Sequence, residues 1–162
     1  MDTDILELPV FPLNVVLFPT MLLPLHIFEE RYKEMIQACL ESDSRFGIAL
    51  IKEGQEVGGF AIPHVTGTVA RIRRVIPLED ERFNLLVFGE RRFEIVDIVQ
   101  TQPYLKAKIR CRDEVIGETP LSKQEISSIK QNLEQHMRMT LGLHGGWVRE
   151  INAPTDLVQL SY

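Results

Sequence analysis

Only two cysteines, Cys39 and Cys111, occur among the 162 residues. That is too few for a zinc ribbon or a disulfide scaffold, and no Cys-x-x-Cys is present. Each lies in an apolar pattern, so both are expected as buried thiols rather than a disulfide. Basic charge is also scarce: 18 Lys and Arg stand against 23 Asp and Glu, for a formal charge of −5 and a pI of about 5.4. Broad nucleic-acid binding usually shows as a basic excess, so nucleic acid is not an expected partner. No apolar run is long and unbroken enough for a membrane span or an export signal. The cytoplasm is therefore the expected compartment, without a membrane partner. Repeats and low-complexity tracts are missing as well.

Catalytic and metal-binding patterns are equally thin. The histidines are His26, His64, His136 and His144, and no two stand at i, i+4. Structural or surface histidines are expected, not ligands. Gly54-Gln55-Glu56-Val57-Gly58-Gly59 has the glycine spacing of a nucleotide P-loop but continues Phe60-Ala61. Without the lysine and hydroxyl that grip phosphate and magnesium, a hairpin turn is the better reading. The acidic run Glu79-Asp80-Glu81 reads as a solvated turn rather than a cation site. No enzyme activity, metal or cofactor is expected from the chain.

What the sequence does have is an apolar N-terminal stretch broken by proline. Leu8 to Phe28 contains Pro9, Pro12, Pro19 and Pro24. Proline has no backbone donor and fixes φ, and it pushes the preceding residue toward extended geometry. The stretch should form short extended pieces and turns, then feed a helix near Phe28.

Phe11-Pro12-Leu13, Phe18-Pro19 and Leu23-Pro24-Leu25-His26-Ile27-Phe28-Glu29-Glu30-Arg31-Tyr32 resemble the opening of the Lon protease N-terminal domain family. That family also occurs as stand-alone Lon-domain proteins. Thr20 stands where its members usually have glycine. Two later phrases match in the family's order. They are Gly67-Thr68-Val69-Ala70-Arg71-Ile72, and Gly89-Glu90-Arg91-Arg92-Phe93-Glu94-Ile95 followed by Pro103-Tyr104-Leu105-Lys106-Ala107. The phrases span roughly residues 5 to 112. Each is weak alone; together they are specific. The resemblance implies an α+β fold, a PUA-like pseudo-barrel or curled mixed sheet with one amphipathic helix, followed by part of a C-terminal helical unit. The ATPase and serine–lysine protease modules of Lon enzymes do not fit here, and Ser122 beside Lys123 is better explained as a helix cap.

Periodicity fills in the elements. Phe28, Tyr32, Met35, Ile36, Cys39 and Leu40 mark one face of a helix over 28–40, with a Glu29–Lys33 ion pair expected. Residues 45–112 read as strands: 46–51, 66–77, 83–88, 92–99 and 104–112. Gly58-Gly59 should break the first pair, 78–82 should be a hairpin connection, and Gly89 should mark another turn. In the last strand Leu105, Ala107, Ile109 and Cys111 alternate with Lys106, Lys108, Arg110 and Arg112. Ser122-Lys123-Gln124-Glu125 is a capping box, with Leu121 able to staple onto Ile126. It opens a helix striped by Ile126, Ile129, Leu133 and Met137, which Gly142 and Gly145-Gly146 should stop. Trp147, Val148 and Ile151 offer another apolar patch, and Pro154 can open a short final helix. The domain division expected is 1–118 and 119–162, with the second part expected as a truncated helical appendage.

Two surfaces invite a function. Phe18, Met21, Leu22 and Leu23 form an apolar excess suited to loose binding of exposed hydrophobic segments. The alternative is that they plug the end of the barrel. Lys106, Lys108, Arg110 and Arg112, joined by Arg71 and Arg73, form a basic strand face that could grip phosphates or acidic peptides. PUA-type folds include RNA binders, which supports that by analogy only. Its alternative is an edge strand guarded by charge, or a face paired with Glu94 and Asp97. The expected function is non-catalytic recognition of unfolded or damaged protein segments. A protease or chaperone partner and weak self-association through the C-terminal helices would suit it.

Overall fold

A computed structural model describes residues 5–113 and 121–143. The chain divides into two compact units, Met1–Glu114 and Val115–Tyr162. The first carries β1 (Ile5–Leu13), β2 (Leu22–Ile27), α1 (Glu30–Leu40), β3 (Arg45–Gly54), β4 (Ala61–Pro77), β5 (Phe83–Gln100) and β6 (Leu105–Cys111). The second carries α2 (Lys123–Leu143).

The six strands lie in the order β2-β5-β4-β3-β1-β6, and β6 also pairs with β5. β5 makes this possible through its length of 18 residues. Its first part, Phe83–Phe88, pairs with β2, and its second part, Phe93–Gln100, pairs with β6. The sheet therefore curls until β5, β4, β3, β1 and β6 form an uneven closed circuit, with β2 left as a flap. Only β1 and β3 run parallel; the other pairs are antiparallel. This is the curled mixed sheet the sequence implied.

The N-terminal prolines fit because β1 is shared. Its first residues, Ile5–Val10, register with β6, and Val10–Leu13 register with β3. Pro9 and Pro12 thus each face one registered neighbour, leaving a side on which a missing donor costs no ladder bond. Bulges in β4 and β5 bend the strands at Ile72–Arg74 and Ile95–Asp97.

Gly89 is not a turn. β5 continues through it as strand, with a register shift against β4 between Gly89 and Arg92. Its carbonyl accepts from Thr20 N–H at 2.8 Å, and its N–H donates to Met21 O at 2.9 Å. A Cβ there would run into the Phe18 carbonyl oxygen, so the glycine serves close backbone approach.

Two apolar clusters hold the unit together. One packs Tyr32, Met35, Ile36 and Cys39 of α1 onto Phe11, Phe46, Ile48 and Val87. The Tyr32 ring lies 3.9 Å from that of Phe11. Burial pushes the Cys39 thiol up to about 12, so it stays an inert, protonated core group. Both cysteines are free and buried. The helix is shorter than its apolar stripe implied. Phe28 precedes it and Leu40 ends it, and both are exposed. Lys33 pairs with Glu30 at 2.7 Å instead of Glu29, which turns to Arg31.

The second cluster lies inside the circuit, where Phe93 meets Leu8, Val10, Ala49, Val69 and the apolar face of β6. The alternation of Leu105, Ala107, Ile109 and Cys111 inward is as the sequence suggests. Phe93 is fully buried, and its ring lies over Gly47 and Gly67. A Cβ would stand 2.8 Å from the ring at Gly47, and at Gly67 2.5 Å from both the ring and Ile48 O.

In the second unit the capping box forms. Glu125 N–H donates to Ser122 Oγ at 3.2 Å, and Ser122 N–H donates to Glu125 Oε2 at 2.8 Å. The Ser122 hydroxyl, donating to Glu125 Oε2 at 2.7 Å, and the Ser122 N–H hold the Glu125 carboxyl below its ordinary range. α2 continues through Gly142 rather than stopping there, since a single glycine costs a helix only about 1 kcal/mol. Trp147, Val148, Ile151, Pro154 and Gly145-Gly146 lie outside the described residues.

Phe93→Ala should cost about 3–5 kcal/mol, because it empties the circuit's centre. Gly67→Ala should cost about 1–3 kcal/mol, because the new methyl has backbone on one side and the ring on the other. Urea denaturation of both variants checks this; losses below about 0.5 kcal/mol would show that the ring does not close the sheet.

Candidate functional site

Phe18-Pro19-Thr20-Met21 forms a tight turn, with Met21 N–H donating to Phe18 O at 3.1 Å. Pro19 supplies the fixed φ of the second position. Thr20 takes φ +67°, the left-handed conformation that glycine adopts freely and a β-branched residue resists. The turn keeps its shape despite the threonine because both its sides are tied. Gly89 holds Thr20 and Met21, and the buried Thr68 hydroxyl donates to Leu17 O at 2.6 Å. The result presents Phe18, Met21 and Leu22, 39%, 37% and 54% exposed, around a fixed backbone. Leu23 is half-buried and packs on the core instead.

The strand that follows this turn, β2, walls a cleft of about 360 Å³. β2 forms one wall through Leu23, Pro24, Leu25, His26 and Ile27; Val15, Phe28 and Val57 add apolar surface. Glu29 and Glu56 supply its carboxylates. The loop after β3 is stitched over the cleft by the start of α1. Arg31 donates to Gly59 O at 2.6 Å, Gly58 N–H donates to Glu29 at 3.3 Å, and Asn14 N–H donates to Glu56 at 2.7 Å. The P-loop-like glycines thus form a β3–β4 hairpin whose amide meets a carboxylate of the same chain. The sequence reading missed Val15, Leu25, Phe28 and Val57. The apolar excess around Phe18 to Leu23 pointed toward the first three, and nothing in the sequence pointed to Val57.

A second cleft, about 380 Å³, has Leu8, Val69 and Ile109 against Arg45, Glu90 and Arg91. At its wall Glu90 bridges Arg45, at 2.7 Å, and Arg71. Partial burial alone would raise the Glu90 carboxyl. The hydrogen bonds from Arg71 and Arg45 outweigh that and hold it below the usual carboxylate range.

The basic residues are not gathered. Arg71 is bound to Glu90, and Arg73 lies at a bulge with its guanidinium 5.0 Å from the Phe88 ring centre. Both register beside the first part of β5, whereas β6 pairs with the second. On β6, Lys106 lies over Tyr104 and Lys108 registers against Glu7 and Asp97, and just past its end Arg112 pairs with Glu94. The row of Lys106, Lys108, Arg110 and Arg112 is thus interleaved with acids from both neighbours. Among the described residues no group of three or more His, Cys, Asp and Glu is placed to hold a metal ion. No described helix is long and apolar enough to cross a membrane.

Residues 7–160 match the family described as the ATP-dependent protease La (LON) substrate-binding domain. The chain belongs to that family. It is 32% identical over 138 residues to Lon protease 2 of Myxococcus xanthus, covering 84% of this chain and 16% of that protein. Against Lon protease 2 of Herpetosiphon aurantiacus the identity is 37% over 108 residues, covering 65% and 13%. The chain therefore spans only about a sixth of these relatives, the part that the family describes as substrate-binding. Among solved structures it resembles the Lon N-terminal domain protein from Xanthomonas campestris. The TM-score is 0.65 at 28% identity, over 82% of this chain and 73% of that one. The N-terminal domain of Mycobacterium avium complex Lon protease shares the fold at 20% identity and a TM-score of 0.56, over 86% and 69%.

Two outcomes follow for this Lon-type domain. Thr20→Gly should raise stability by about 0.5–1 kcal/mol, relief of left-handed strain exceeding glycine's entropy cost; a lower urea midpoint would contradict it. Glu90→Gln should cost about 1–2 kcal/mol at pH 7. Glu90's folded pKa lies below its unfolded value of about 4.3. Its contribution is therefore present above that value and fades as pH falls through the folded pKa. The gap between variant and parent should close below about pH 4 in urea titrations run from pH 7 to 3.

Proposed function

We propose that this domain binds exposed apolar segments of unfolded or damaged proteins through the turn at Phe18, Met21 and Leu22 and the adjoining cleft. Such binding either delivers clients to a protease or acts independently of one. The observation that carries this reading is apolar side chains held in solvent by a backbone tied on both sides. Hydrophobic residues left outside on a firmly anchored turn are available to a partner rather than awaiting burial. The side chains themselves stay adaptable, Met21 especially, so varied sequences can be accommodated.

Membership in a family named for substrate binding supports a protein ligand. The interleaving of basic and acidic residues on β6 supports an apolar rather than a phosphate-gripping mode. Binding is expected to be weak. A segment burying about 300 Å² of apolar surface gains roughly 7 kcal/mol before association costs that remove most of it. Useful capture then needs several domains acting on one client, which a protease partner or weak self-association would supply.

Met21→Ser with Leu22→Ser should lower affinity for a labelled, permanently unfolded protein about tenfold in fluorescence anisotropy, with the fold intact. The parent's binding should hardly change with salt, because few counterions are released. A folded double variant that binds as well as the parent would exclude this surface. Affinity falling steeply with salt would instead point to the basic strand.

A further inference from the structure

The free edge of β2 lies between two clefts. Pro24, Leu25 and His26 line both the 360 Å³ cleft described above and a second one of about 420 Å³. The latter is walled by Arg74, Ile76, Asn84 and Leu86 on the sheet's other side. Among the described residues β2 pairs with β5 on one side only and ends the strand order.

The direction of its backbone groups can be worked out. Gly89 uses both its N–H and its C=O toward residues 20 and 21. Backbone groups alternate sides along a strand, so Val87, Leu85 and Phe83 also face β2. Their registered partners Leu23, Leu25 and Ile27 face back toward β5. Leu22, Pro24 and His26 therefore direct their backbone groups outward. Pro24 lacks a donor, which leaves two N–H groups and three carbonyls on the open edge.

We propose that an extended client segment adds to β2 as a further strand, its alternate side chains entering the two clefts. This inference rests on the function proposed above and specifies how the site holds its ligand. Main-chain hydrogen bonds are indifferent to sequence, whereas the clefts select apolar side chains at alternate positions. The chemistry of the occupant follows from the walls. In the first cleft Glu29 is already paired with Arg31, whereas Glu56 accepts the Asn14 N–H and has no lysine or arginine beside it in the lining, so Glu56 favours apolar segments flanked by a basic rather than an acidic residue. Pro24 limits what the edge accepts. An all-donor edge would template any exposed strand, including a second copy of this chain; one missing donor weakens such pairing without abolishing it.

The test uses the whole chain and a short synthetic peptide alternating leucine and threonine with lysine at each end. Two derivatives are N-methylated at every second amide, in opposite frames. Methylation removes donors along one edge of the peptide and leaves its side chains in place. One frame should weaken binding at least tenfold while the other stays within about threefold. In the complex, hydrogen exchange at the Leu22 and His26 amides should slow at least tenfold, while Leu23 and Leu25 remain as protected as before. Equal affinity of the two frames would overturn strand addition while leaving apolar capture standing. A parent peptide that fails to bind, when unfolded protein still does, would overturn it too; failure of both would remove the proposed function with it. Protection of Leu22 and His26 that rises with protein concentration and needs no peptide would overturn the client as occupant and assign the edge to a second copy.

Discussion

The buried ring of Phe93, laid on Gly47 and Gly67, is the contact on which this fold depends. It sits where β3, β4 and β5 must approach closely enough for the sheet to curl round to β6. A side chain at either glycine would hold the strands apart by about a methyl's width. Closure in turn fixes the course of β5, which must be long enough to serve β2 with one end and β6 with the other. The flap strand and its clefts exist because the barrel closes through the second part of β5 and leaves the first part free for β2.

A second constraint acts at Gly89. The same strand that closes the barrel gives up a side chain so that the Phe18–Met21 turn can lie against its backbone. Thr68 grips the turn from the next strand. These ties explain how threonine persists at a position of positive φ. Its strain of about 1–2 kcal/mol is offset by hydrogen bonds on both sides. The site is thereby stiff in its backbone and loose in its side chains, a combination suited to ligands that share chemistry but not sequence.

Patterns with a period were legible in the sequence, and contacts without one were not. The alternation in β6 and the stripe of Tyr32, Met35, Ile36 and Cys39 report a single buried face, and both appear as read. Gly89 shows the limit. Glycine serves either a left-handed turn or a close approach, and one sequence does not separate the two. The Gly89 expectation failed for that reason. Phe28 failed for another: it fits the helical spacing, but Glu29 is already extended, so the helix phase does not reach it. The cleft was only half legible, since Val57 comes from a loop 30 residues or so beyond β2 and reaches it by way of Glu29 and Arg31. The basic row was visible, but which acids stand beside it, Glu7, Glu94 and Asp97, depends on strand register.

Pro24 ties the edge strand to its clefts. In the sequence it is one more helix breaker; in the sheet it sits on the outward phase of an edge, where its missing donor costs β5 nothing. The same residue lines both clefts. An edge that captured extended segments tightly would also capture its own kind, and under the proposed function the domain would meet such edges constantly. Removing one donor lowers the strength of backbone pairing for every partner alike. In the proposed strand addition the clefts would restore affinity only for segments with apolar side chains at the right spacing. Selectivity would then arise from weakening the part of the interaction that all peptides share.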